Sequence, residues 1–296
     1  LVGDAGVLPV DAGAARPAPA PLEAVTDKSS DLPGDDLEQP GAAGAKSRSI
    51  RVRGRFVYHR PSDGEQIGVD GMTVRIYDDD PVGDDHLTDT VTGWDGTFDV
   101  TFTFDDDWED YPDIYVKFRA ANAEHEVQHA TWGYVYEWET GVHSDVASYL
   151  NIGVIQSGEE DVEPALHILT DVSRTWRWLH DLGYNCRFVD VQWPDGDEGA
   201  WYNDYYEDIH VGRDREWSEG THSHEYGHHW INCYSELQDT AYCNGYCDDS
   251  ATDCGHCLWC EENVHDAWDE GFPDYLGYTI PKEYETRYGL AAWSKT

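Results

Sequence analysis

Positive charge is what this chain has least of: 19 Lys and Arg stand against 60 Asp and Glu in 296 residues, for a formal net charge of -41. Nucleic-acid binding works by displacing condensed counterions with Lys and Arg, so a deficit of this size excludes a nucleic-acid partner. Docking on an anionic membrane surface is excluded for the same reason. Long apolar runs are missing too; no stretch of about 18 apolar residues is present to span a bilayer, so no membrane insertion is expected. Cysteine is nearly absent outside one segment, since six of the 7 fall between Cys233 and Cys260 and only Cys186 stands apart.

What is present suffices for a folded core. Apolar residues make up 40% and aromatics 13%, too much for a mainly disordered chain, and the length suggests about two domains at roughly 150 residues each. The excess of carboxylates repels itself at low salt, and ions relieve that repulsion because the Debye length shrinks to about 3 Å at molar concentration. A solvated acidic shell and a halophilic source are expected. Calcium is the alternative use of the acids, because Asp78, Asp79, Asp80, Asp84 and Asp85 crowd one segment. That segment lacks the D-x-[DN]-x-[DN]-G spacing of a calcium loop, so no specific motif supports it.

Residues 1–48 are rich in Ala, Pro, Gly and Asp without helical or alternating period, and read as a disordered leader or pro-region. Over 49–155 the pattern alternates: Val52 and Phe56 between Arg51, Arg53 and Arg55, then Val74 and Ile76, then Phe98, Val100, Phe102 and Phe104, then Ile114, Val116 and Phe118. Ser62-Asp63-Gly64, Asp70-Gly71 and Asp95-Gly96 supply turns between these strands. The expectation is an antiparallel β-sandwich. The stretches Gly71 to Tyr77 and Thr92 to Phe98 resemble the transthyretin-like accessory domains attached to secreted enzymes, a resemblance that carries no catalytic residue.

In 156–296 the period lengthens. Leu169, Val172, Trp176 and Leu179 follow helical spacing, with Pro164 near the start and Gly183 at the end, which predicts an amphipathic helix whose stripe is core packing. A strand is expected over 188–193 and a short alternating segment at Ile209 and Val211, giving an α+β domain.

The chemistry is concentrated in His224-Glu225-Tyr226-Gly227-His228. On a helix, positions i and i+4 share a face, so His224 and His228 can turn one ring nitrogen each to a common zinc ion, with Glu225 beside them to reach a water. Gly227 is a helix liability of about 1 kcal/mol against Ala, reasonable where a metal-binding helix packs closely on a neighbour. A catalytic zinc takes a third protein ligand and leaves its fourth position open. Glu270 is the candidate, with Asp274 accepting a hydrogen bond from the far nitrogen of a ligating His. His222 and His229 flank the motif off the ligand face and read as helix-surface histidines, and Tyr226 as packed on a neighbouring strand.

Together, the His-Glu-x-x-His segment and Glu270-x-x-x-Asp274 resemble the gluzincin metallopeptidases, the class of thermolysin. The resemblance implies a secreted zinc endopeptidase with Glu225 as general base, a polypeptide substrate held by strand addition at Ala200-Trp201-Tyr202, and a Tyr or His donor for the oxyanion. Tyr275 and Tyr278 are candidates for that donor; about 20 residues follow Asp274, so the domain is otherwise expected to be truncated at its C-terminus. Two departures stand out. His228 and Glu270 are 42 residues apart, about double the thermolysin spacing, and the excess is read as a disulfide-stapled insertion over 233–260. Cys243, Cys247, Cys254 and Cys257 as a four-thiolate zinc site are the rival reading. The other departure is Pro273, tolerated only in a first turn: a helix that starts near Asp269 keeps Glu270 and Asp274 on one face, whereas one that starts much earlier kinks and breaks their register.

Export is expected from the cysteine density, although no leader is legible: Leu1 opens the chain, and Asp4 and Asp11 interrupt any apolar core. The alternative function is an extracellular protein- or glycan-binding adhesion protein with a structural or degenerate zinc site. Oligomeric state and cleavage preference are not legible.

Overall fold

Alternating apolar residues become strands here wherever Asp-Gly turns end them. In the computed structural model, residues 47–81, 83–105, 111–158, 160–235 and 264–288 are described, and all lie in the compact unit Ala45–Thr296. The leader reading over 1–48 therefore falls outside the described residues up to position 46, and Arg48 already opens a strand.

One four-stranded sheet is built on β1 (Arg48–His59), paired antiparallel with β2 (Gln66–Gly68) and β5 (Thr97–Phe104). A second, wholly antiparallel sheet has the order β4 (Asp85–Val91), β3 (Thr73–Asp78), β6 (Ile114–Arg119), β8 (Glu137–Glu139). The two face each other across aromatic contacts: the Phe56 ring centroid lies 4.5 Å from that of Phe118, and Phe98 lies 5.8 Å from it. Val52, Phe56, Val74, Ile76, Ile114, Val116 and Phe118 are all buried, as period two requires. Within these two sheets one strand departs from the antiparallel expectation. β9 (Tyr149–Gln156) runs parallel to β1, with Arg51 opposite Tyr149 and Val57 opposite Gln156.

A third sheet has the order β11 (Ala200–Asn203), β12 (Asp208–Val211), β10 (Val189–Gln192), β7 (His125–Gln128). β7 and β12 run parallel to β10, while β11 is antiparallel at the edge. A strand from the β-rich half thus belongs to the sheet of the helical half, and the fold is mixed α and β with several sheets. Against this sheet lie α1 (Glu163–Asp181) and α2 (Glu219–Tyr234), with α3 (Val264–Tyr288) packed on both helices. None of the described helices is long and apolar enough to cross a membrane.

Helix α1 has Pro164 in its first turn and Gly183 at positive φ just beyond its end. Leu169, Val172 and Leu179 are buried as the stripe predicts, but so are Thr170, Asp171, Ser173 and Thr175, because β1, β7, α2 and α3 surround the helix. The turn at Gly71 touches it closely: φ is 75° there, and a Cβ would fall 2.1 Å from Ser173 Oγ, so only Gly fits. Next to it, buried Asp70 pairs with Arg177 of α1.

The start of β7 is fixed by His125, wholly buried. Its Nε2 accepts from the Ser173 hydroxyl at 2.7 Å and the Asn122 amide at 3.0 Å. Burial, reinforced by His229 and Arg177, holds its pKa down at about 3 against an ordinary 6.5. The native state therefore keeps His125 neutral while an unfolded chain takes up a proton below pH 6.5, so its contribution to stability is present above that pH and lost as pH falls toward 3. At about 1.4 kcal/mol per pH unit, acidification from pH 6.5 to about 4.5 should remove roughly 2–3 kcal/mol through this residue. Urea unfolding of the His125→Gln variant should show a slope of stability against pH smaller by about one proton; an unchanged slope would show that His125 does not contribute.

Candidate metal centre

Helix α2 begins after Ser218 and carries Glu219 in its first turn. One face carries His224 and His228, whose Nε2 atoms lie 3.1 Å apart. From α3, Glu270 brings its Oε2 to 3.4 Å from His224 Nε2 and 3.6 Å from His228 Nε2. The three donors form a nearly equilateral triangle. Tetrahedral zinc with bonds of about 2.0–2.1 Å separates its ligand atoms by roughly 3.3 Å, so the triangle has the size that zinc requires.

The far ring nitrogens point the donors inward. His224 Nδ1 lies 3.0 Å from Asp274 Oδ1, where it donates its proton and turns the Nε2 lone pair to the centre. Asp269 stands toward His228 in the same way, its Oδ1 at 3.9 Å from Nδ1, in ion-pair range. Burial alone would lower the pKa of His228, but Asp269 and Glu270 outweigh it and hold it up at about 10. The group attracts positive charge, and its nitrogen and carboxylate donors fit a divalent ion. Beside it Glu225 is only 6% exposed, and burial raises its carboxyl above the ordinary value despite the nearby His224 and His228.

The triangle depends on close helix contact. Gly227 faces Pro273, where a Cβ would meet the Pro273 Cα at 2.7 Å, and Gly277 faces the Gly220 carbonyl as closely, at 2.6 Å. Pro273 is not in a first turn: α3 is helical from Val264, so of the two starts the earlier one holds. The proline removes the bond to the Asp269 carbonyl one turn back, yet Glu270 and Asp274 on either side both reach His224.

His222 and His229 are not surface residues, as expected, but wholly buried. His222 faces Asp171 and His167 of α1, while His229 donates from Nε2 to the Arg187 carbonyl at 3.0 Å. Tyr226 is buried with its ring edge-on to His229. Ala200, Trp201 and Tyr202 do form an edge strand, β11, packed on α2. Trp201 is 43% exposed and stacks on His210, whereas the Tyr202 hydroxyl accepts from Asn232 of α2 at 2.8 Å. Tyr275 and Tyr278 are more than half exposed on α3. Tyr278 falls in the row of Glu270 and Asp274 at successive i+4 steps, and Tyr275 does not.

Cys186 pairs with Cys233, tying the end of α2 to the segment before β10. This closes a loop with a sequence separation of 47, worth roughly 4 kcal/mol by chain entropy. Cys186 is thus joined to the cluster's first cysteine. The other cysteines of 233–260, both the stapled insertion and the Cys243, Cys247, Cys254, Cys257 site, lie outside the described residues. Among the described residues two groups offer free metal donors, His224, His228 and Glu270, and His167, Asp171 and His222; a third, Cys186, His229 and Cys233, has its two sulfurs committed to the disulfide. The acids of 78–85 are not among them. Asp78 Oδ1 accepts from the Asp113 amide at 2.7 Å and Asp84 from the Tyr115 hydroxyl at 2.7 Å.

No known family profile matches the chain, and no curated protein matches it. Among solved structures it is similar to a 9R-lipoxygenase from Cyanothece PCC8801 over 51% of this chain and 25% of that one, with 10% identity and a TM-score of 0.28. It is also similar to an (S)-allantoin synthase over 36% of this chain and 41% of that one, with 8% identity and a TM-score of 0.23. The chain spans less than half the length of either, and likeness this slight carries no argument about fold or activity.

Proposed function

We propose that this chain is a zinc-dependent endopeptidase of gluzincin type, with a transthyretin-like β-sandwich on the N-terminal side of its α+β zincin domain. The observation that carries the reading is the triangle of His224 Nε2, His228 Nε2 and Glu270 Oε2 with edges of 3.1, 3.4 and 3.6 Å. Zinc held there would polarise a scissile carbonyl and acidify a water. Glu225, buried and with its carboxyl raised above the ordinary value, takes the proton of the attacking water and returns it to the leaving amine. No side chain attacks the carbonyl, so no acyl-enzyme forms. Asp274 and Asp269 keep the two imidazoles in the tautomer that offers Nε2.

The edge position of β11 supports an extended polypeptide substrate added as a further strand, with Trp201 exposed beside it. The disulfide supports an oxidising, extracytoplasmic compartment. An adhesion protein with a structural zinc has no use for a buried carboxylate beside its ligands, and Glu225 favours the hydrolase.

Casein cleavage measured before and after chelation tests the reading. Cleavage should cease when the metal is removed and return on addition of one equivalent of zinc. Cleavage that persists in fully metal-free protein would refute it, and zinc binding without cleavage would favour the adhesion protein.

A further inference from the structure

A second polar cluster lies in the core between α1 and the first turns of α2. His167 and Asp171 are one turn apart on α1, His222 faces them, and all three are buried. Both imidazoles converge on one oxygen: Asp171 Oδ2 is 2.7 Å from His222 Nδ1 and 3.2 Å from His167 Nε2. The opposite nitrogens are each held by an oxygen. His222 Nε2 is 3.0 Å from the Arg215 carbonyl, and His167 Nδ1 is 2.9 Å from the Tyr58 hydroxyl.

A carbonyl only accepts, so His222 Nε2 carries a proton, and Nδ1, hydrogen-bonded to Asp171 Oδ2, is the nitrogen a cation at this point would take. His167 Nε2 is buried without a hydrogen bond, although it lies beside that same carboxylate. Two ring nitrogens and a carboxylate turned to one point, with the outer ring nitrogens fixed by oxygen partners, is how proteins orient metal-binding histidines, and zinc would open the 2.7 Å edge to roughly 3.3 Å.

We propose that His167, Asp171 and His222 form a second, closed cation site that takes a divalent transition ion and braces α1 against α2. It shares no ligand with the His224 centre and does not depend on that reading. Two imidazoles and one carboxylate suit zinc rather than calcium or magnesium, which favour all-oxygen sites. Arg174 Nη1, 3.8 Å from Asp171 Oδ1, partly offsets the carboxylate charge on the side away from the two imidazoles. With no open side, the ion enters as the chain folds.

Zinc per chain, measured on protein produced with zinc and then dialysed, tests this across the native chain, Asp171→Asn, His228→Ala and the double variant. Asp171→Asn should lose one equivalent, His228→Ala a different one, and the double variant both; because these are differences, ions bound by cysteines cancel. Full zinc in folded Asp171→Asn overturns the proposal and leaves the cluster a hydrogen-bonded one, while a loss in His228→Ala would leave the hydrolase reading intact. Loss in Asp171→Asn alone keeps the second site and removes the first. Should Asp171→Asn not fold, cobalt refolded into His228→Ala decides: a tetrahedral nitrogen and oxygen spectrum without a thiolate band is expected, and its absence overturns the site.

Discussion

Glu225→Gln should retain zinc at the native stoichiometry while the rate of casein cleavage falls by about 10²–10⁴-fold, the usual worth of a positioned general base. The substitution keeps the shape of the side chain and removes only its ability to take a proton. Because Glu225 is buried and its carboxyl already disfavours ionisation, a neutral amide there costs the fold little. The fall should appear in kcat, with KM near the native value, since the residue acts on the attacking water rather than on substrate binding. Undiminished cleavage would remove Glu225 from the mechanism. Loss of zinc in this variant would instead make Glu225 part of the ligand set, which the triangle of His224, His228 and Glu270 leaves no need for.

How much of this was legible depended on sequence distance. His224, Glu225 and His228 lie within one helical turn, so the period of the helix alone puts the two imidazoles together. Glu270 is 42 residues further on, and only the likeness to a family with a second helix at that point singled it out. Asp269 was missed, although asking each ligating histidine for its own carboxylate would have exposed it, because His228 needs a partner as His224 does. Four strands of the two facing sheets, β1, β3, β5 and β6, were read from alternation and the shorter or more polar β2, β4 and β8 were not, whereas the parallel pairings of β9 with β1 and β7 with β10 leave no local signature. Such pairs join segments some 60 to 100 residues apart without a shared turn.

The buried cluster around Asp171 escaped for a different reason. Periodicity identifies the apolar face of a helix and assigns its polar residues to solvent, but α1 is covered on nearly every side. The signal was His167-x-x-x-Asp171, a one-turn pair inside a run that is otherwise mostly apolar or small. His222 and His229 were misplaced by the same assumption, since polar residues beside a ligand face were taken as exposed.

Gly227→Ala carries the other large effect, and its sign separates two accounts of the helix pair. In an exposed helix this change stabilises by about 1 kcal/mol, because Ala loses less backbone freedom than Gly. Here the added Cβ would sit 2.7 Å from Pro273 Cα and 2.9 Å from its Cβ. Carbon atoms in contact need about 3.5–4.0 Å, so α3 must recede from α2 by about 1 Å. Backbone atoms of a proline cannot swing aside as a flexible side chain would. Overpacking of this kind costs about 1–3 kcal/mol, enough to reverse the gain from helix propensity. The displacement also reaches the metal centre, because Glu270 and Asp274 flank Pro273 on the same helix. A misplacement of about 1 Å costs catalysis on the order of 10²-fold. Gly271→Ala is the internal control: nothing lies within 4 Å of its added Cβ, so it should gain the 1 kcal/mol or so that Gly227→Ala forfeits. Thermal midpoints and zinc retention of the two variants should therefore move in opposite senses or not at all for Gly271, and a Gly227→Ala protein that is more stable and fully loaded would show that α3 does not close on α2 at this point.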